Sequence, residues 1–119
     1  MNNLGKQAEA LASQYLQKQN LTLIDQNYHC RRGEIDLIMQ DQQTLVFVEV
    51  RYRKNARFGS ALESIDHKKQ VKIITTAEHY LQQSKNDYFD YRFDVIAIMP
   101  VQNSDKPEIT WIKNAFQLN

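Results

Sequence analysis

An α/β fold, a sheet with helices on its faces in the order α-β-β-β-α-β-β, is predicted by three observations on this 119-residue chain. Two segments carry apolar residues at the i, i+3, i+4 spacing of one helix face. Two strand-like runs are joined by the four-residue polar loop Asp41-Gln42-Gln43-Thr44, the signature of a hairpin. Near the C-terminus, YRFDVIAIM is apolar on both faces, as a strand inside a sheet must be.

The elements follow in order. Leu4, Ala8, Leu11, Ala12, Tyr15 and Leu16 define a helix over about 3–19, with Asn2 or Asn3 as its cap. Residues 21–29 form a first strand, ended by the Arg31-Arg32-Gly33 turn, and 34–40 and 45–52 form two more. Residues 53–65 read as irregular. Asp66 caps a second helix over about 67–84, which buries Ile73, Ile74, Ala77, Tyr80 and Leu81. Lys68, Lys72, Thr75 or Thr76, and His79 take its other side. A strand over 91–99 is expected to be central, and a last strand spans about 108–113. No repeat, low-complexity tract or linker interrupts this order, and a single domain over 1–119 is expected.

Composition narrows the function classes. With 42% apolar and 24% charged residues, the chain has the make-up of a soluble globular protein. No stretch approaches the ~20 apolar residues of a membrane span, so no membrane partner is expected. The N-terminus lacks the basic and apolar regions of a secretory signal. One cysteine, Cys30, forms no internal disulfide and suits a reducing, cytoplasmic setting. His29, His67 and His79 have no partner at zinc-ligand spacing, and no phosphate-binding glycine loop is present. Tyr88, Phe89, Tyr91 and Phe93 read as core packing rather than a base-stacking platform. Net charge is only +1, yet residues 51–72 hold seven basic against two acidic side chains, leaving −4 for the rest. That local basic patch suits a polyanion met at one face.

Three acids break the strands. Glu34 and Asp36 interrupt one apolar run, and Glu49 sits inside Leu45-Val46-Phe47-Val48-Glu49-Val50. Carboxylates are rarely buried without a partner. If Asp41 pairs with Thr44 and Gln40 with Leu45, Asp36 falls opposite Glu49, where like charges destabilise a sheet. A cation should stand between them. Arg51 could supply it as a structural ion pair, or a divalent ion such as Mg²⁺ could, since that ion takes hard oxygen donors.

Gly33-Glu34-Ile35-Asp36-Leu37-Ile38 followed by Phe47-Val48-Glu49-Val50-Arg51-Tyr52-Arg53 resembles the PD-(D/E)xK nuclease superfamily pattern. More narrowly, the chain resembles the YraN-like family of small bacterial proteins, distantly similar to archaeal Holliday-junction resolvases. Gly5, Glu9, Ala12, Tyr15-Leu16, Phe58-Gly59, Lys68 and Arg92-Phe93-Asp94-Val95 also match, so the resemblance covers residues 5–99. It implies a restriction-endonuclease-like mixed sheet with flanking helices. It also implies a metal-dependent DNA endonuclease-like domain hydrolysing phosphodiesters in branched or structured DNA. Asp36, Glu49 and the Val50 carbonyl would hold Mg²⁺ or Mn²⁺, with Glu9 as a supplementary acid. Arg51 stands where the superfamily places lysine. Arginine stabilises charge but cannot act as a base, so a nucleic-acid-binding module with little turnover is the alternative. Arg53, Lys54, Arg57, Lys68, Lys69 and Lys72 would grip the DNA backbone. A homodimer is compatible with this reading; a partner-binding protein with no nucleic acid, its acids held by arginines, is a rival to it.

Overall fold

The computed structural model describes residues 4–53, 62–84, 88 and 90–117. Expectations for Asn2, Asn3, Lys54, Arg57, Phe58, Gly59 and Phe89 lie outside the described residues. Helix α1 (Leu4–Lys18) is followed by strands β1 (Thr22–Cys30), β2 (Gly33–Asp41) and β3 (Thr44–Tyr52). A 3₁₀ turn at Leu62–Ser64 leads into α2 (His67–Gln83), then β4 (Asp90–Met99) and β5 (Glu108–Ile112). The α/β order is the expected one. Asp66 caps α2 as anticipated, its carboxylate accepting from the Lys69 amide at 2.8 Å.

The five strands lie in sequence order in one mixed sheet. Neighbours are antiparallel except β3 and β4, which run parallel. That parallel pair requires a crossover, and α2 lies on it. β4 sits inside the sheet between β3 and β5, but the middle strand is β3.

The hairpin register is the one the loop implied: Asp41 pairs with Thr44 and Gln40 with Leu45, around Gln42 at φ 56°. It does not extend to an Asp36–Glu49 ladder pair, because pairing ends at Leu37↔Val48. There the alternation of β2 also breaks. Ile35 packs on the α2 side and Leu37 on the α1 side, although residues two apart in a regular strand share a face. β1 is irregular too. Its register shifts between Leu23 and Asp25, and Asn27 adopts φ 54°.

Each face of the sheet buries one helix. Ala8, Ala12 and Leu16 of α1 pack with Leu37, Met39, Val46, Val48, Ile96 and Ile98. Ile73, Ile74 and Ala77 of α2 pack with Ile35, Ile38, Phe47, Phe93 and Val95. Lys68 and Lys72 stay exposed, Thr75 is half-buried and Thr76 is fully buried. His79 is turned inward, its Nδ1 2.7 Å from the Tyr28 hydroxyl. Thr76 gets in because Gly33 lies over it. A Cβ on Gly33 would stand 2.9 Å from Thr76 Oγ1, and Gly33 has φ +154°. As expected, Tyr88 and Phe93 join the core, whereas Tyr91 is exposed.

Arg92-Phe93-Asp94-Val95 has a structural explanation. Asp94 is wholly buried and accepts from Arg92 Nε at 3.0 Å, Trp111 Nε1 at 2.9 Å and the Asn114 amide at 2.9 Å. Arg92 also reaches Asp41 at 3.1 Å. A buried carboxylate with three donors, one of them a cation, is well compensated. This node ties β4 to the β2–β3 hairpin, to β5 and to the chain beyond it.

Candidate active site

Where β2 and β3 part, a cleft of about 600 Å³ opens between the first turns of α1 and α2. The strands supply Glu34, Asp36, Glu49, Val50 and Arg51; α1 supplies Glu9, and α2 supplies Lys68, Lys69 and Lys72. The lost ladder pairing is what frees Asp36 for this site. In place of a backbone bridge, Asp36 Oδ2 accepts the Val50 amide at 2.8 Å. The backbone donor at the break is therefore satisfied by a charged acceptor, a stronger bond than the one it replaces.

The two carboxyl groups meet although their residues are not ladder partners. Glu49 is 8% exposed and hydrogen-bonds the Asp36 side chain. Two carboxyl oxygens can share such a bond only through a proton. Burial first, then the hydrogen bond and charge of Asp36, push the Glu49 carboxyl from its ordinary 4.5 up to about 9. Lys69 and Arg51 act in the opposite direction without cancelling the effect. Glu9 is raised as well, mainly by burial and next by Asp36, while a hydrogen bond from the Asn27 side chain opposes the shift. The site thus gathers more negative charge than its cations balance at short range.

Arg51 does not form the bridging ion pair that was one reading of the sequence. Its Nε and Nη2 are buried and have no hydrogen-bond partner among the described residues. Nε and Nη2 form one edge of the guanidinium fork, the edge that matches two oxygens of a phosphate or carboxylate. Leaving such donors buried and unmet is costly unless a ligand meets them.

Among the described residues, no group of three or more His, Cys, Asp and Glu side chains is close enough to cage a metal. Glu9 shares the cleft but does not complete a three-acid cluster. The Asp36–Glu49 pair nevertheless fits the sparser demand of Mg²⁺ or Mn²⁺, which bind through one or two carboxylates and retain waters. The charge of Asp36 beside Glu49 is the part of that environment which a cation would relieve.

Of the sequence-predicted residues, Asp36, Glu49, Val50, Arg51, Glu9, Lys68, Lys69 and Lys72 line one cleft. Arg53 lies just past β3 and its amide donates to the Ile98 carbonyl at 2.8 Å, so it extends the sheet instead of lining the cleft. The sequence reading missed Asn27 and assigned no role to Glu34. An asparagine inside a strand was the available signal for Asn27, since asparagine tolerates the left-handed conformation.

The model of Uncharacterised protein family UPF0102, the YraN family, matches residues 8–98. A UPF0102 protein of Saccharophagus degradans is 55% identical over 119 residues, covering 99% of this chain and 96% of that protein. One from Psychromonas ingrahamii is 57% identical over 116 residues, covering 98% and 91%. A third, from Nitrosococcus oceani, is 49% identical over 115 residues, covering 96% and 91%.

Proposed function

The chain belongs to the UPF0102 family, and we propose that it is a metal-dependent DNA endonuclease-like domain that hydrolyses phosphodiesters. One observation carries the reading: a proton-sharing carboxyl pair and an arginine with unmet donors line the same cleft. That is the charge pattern a cation and a phosphate together would complete.

Asp36 and Glu49 would hold Mg²⁺ or Mn²⁺, with the Val50 carbonyl as a further donor and Glu9 as an outer acid. Bound there, the ion supplies Lewis acidity and a nucleophile at neutral pH. Asp36 is held in place by the Val50 amide, so one of its oxygens keeps its position whether or not the site is filled. Glu49 must release its proton to act as a ligand, and a cation's charge favours that release. Arg51 presents its fork to the phosphate and stabilises charge developing there, without exchanging a proton. Lys68, Lys69 and Lys72 neutralise flanking phosphates, contacts that position DNA without reading its bases. Lys54 and Arg57 would add to this grip.

Arginine in the lysine position favours a second reading, a DNA-binding module with little turnover. The two separate in one experiment. Titration calorimetry with Mg²⁺ and Mn²⁺ is combined with cleavage of labelled linear, flap and four-way DNA. Metal binding lost in Asp36→Asn, with cleavage lost alongside, supports the enzyme. Binding without cleavage supports the module, and absence of both metal and DNA binding would refute the pair of readings.

A further inference from the structure

Behind the cleft lies a second concavity of about 200 Å³. It is walled by Leu4 and Leu11 of α1, Tyr52 at the end of β3, and Val101 and Pro107 after β4. Four of the seven large apolar side chains exposed among the described residues, Leu4, Leu11, Tyr52 and Val101, are gathered here. Isolated exposed apolar groups are ordinary; a cluster of them around a hollow marks a binding surface. The hollow adjoins the cleft, since Ala8 and Tyr52 line both.

Charge divides the two. The cleft sets Arg51, Lys68, Lys69 and Lys72 beside its acids, whereas among the described residues the one charged side chain lining the hollow is Asp105. Cations and the unmet donors of Arg51 are available to a phosphate in the first, and neither is available in the second. At about 200 Å³ the hollow falls below the ~300–1,000 Å³ of typical small-molecule pockets, and suits one flat ring. Apolar walls with a tyrosine would hold a ring, and a carboxylate at the rim can accept from the exocyclic amine of a base.

We propose that this hollow receives an unpaired nucleobase belonging to the strand whose backbone lies in the cleft. The substrate is then DNA that is single-stranded or splayed beside the phosphate at Asp36 and Glu49, in preference to intact duplex. The proposal rests on the nucleic-acid reading of the cleft and adds to it the state of the strand.

The test needs no cleavage. In EDTA, fluorescence anisotropy measures binding of a short oligo(dT), a duplex of equal length and an oligomer of abasic sites. The probes are read against the unaltered protein, Leu11→Ala with Val101→Ala, and Lys68→Ala with Lys72→Ala. Leu11 and Val101 are exposed, so the first variant should fold, which thermal unfolding checks. Stacking of one base predicts that oligo(dT) binds about 5- to 150-fold tighter than the abasic oligomer. The Leu11/Val101 variant should erase that ratio while leaving abasic binding unchanged, and the lysine variant should weaken all three probes. Equal affinity for oligo(dT) and the abasic oligomer overturns the inference and leaves the cleft reading standing. If the lysine variant changes nothing, the cleft reading falls too. Self-association that the Leu11/Val101 variant abolishes, without any preference for oligo(dT), would make the hollow a contact between copies of this chain and overturn the inference.

Discussion

Replacing Glu49 by glutamine should stabilise the metal-free protein at alkaline pH and do little at acid pH. Burial and Asp36 hold the Glu49 carboxyl at about 9 in the folded chain, against an ordinary 4.5. Between those values the unfolded chain has released the proton and the folded chain still binds it. Folding stability therefore falls as pH rises, by up to about 1.4 kcal/mol per pH unit for this one group. At about pH 8 the accumulated loss has an upper bound of about 5 kcal/mol. Relaxation of the shared site should reduce this to about 2–3 kcal/mol, since the effective dielectric around buried charges exceeds that of dry protein. Glutamine keeps a donor for Asp36 and removes the titration. Urea unfolding in EDTA between about pH 5.5 and 8.5 should show the wild-type and Glu49→Gln stabilities diverging as pH rises. Saturating Mn²⁺ should recover stability in the wild type, by about 2.7 kcal/mol at a hundredfold excess over Kd, and much less in the variant. A difference that stays constant across the pH range would refute the shared proton and the cation site argued from it.

Further outcomes are expected elsewhere. Gly33→Ala should cost about 1–3 kcal/mol, because the residue has φ +154° and its new Cβ would meet Thr76 Oγ1 at 2.9 Å. Adding Thr76→Ala should recover only the steric part, which a double-mutant cycle by denaturation measures. Asp94→Ala should cost about 3–5 kcal/mol by stripping Arg92 and Trp111 of their acceptor, with Mn²⁺ binding by the surviving folded protein unchanged in calorimetry. Arg51→Lys should preserve or raise metal-dependent cleavage, and Arg51→Ala should lower its rate by about 2–4 kcal/mol of transition-state stabilisation in single-turnover assays.

The periodicities were enough to place every described helix and strand because this sheet is mostly local. β1, β2 and β3 follow one another as hairpins, and the polar loop set the Asp41↔Thr44 register. That register brought Asp36 near Glu49 for the right reason, yet it overstated the ladder. Alternation assumes a regular strand, and no signal in Gly33-Glu34-Ile35-Asp36 announces that pairing stops at Leu37. Thr76 could not be placed by helix periodicity alone, because its burial depends on the missing side chain of Gly33, 43 positions earlier in the chain. Trp111 drew no attention as a lone aromatic in a short strand. Its role rests on Asp94, a contact across β4 and β5 that local patterns do not carry.

Asn27 has an effect beyond the cleft. β1 is an outer strand of nine residues, about 30 Å long, with most of its side chains exposed. A straight border of that length offers free amides and carbonyls on which another molecule's strand could grow into an aggregate. Here the border is bent at two places, by the slip between Leu23 and Asp25 and by the left-handed turn of Asn27. No run of more than a few residues remains straight enough to template a foreign strand. The backbone kink at the residue that bonds Glu9 therefore also makes this border of the sheet a poor template for another copy's strand.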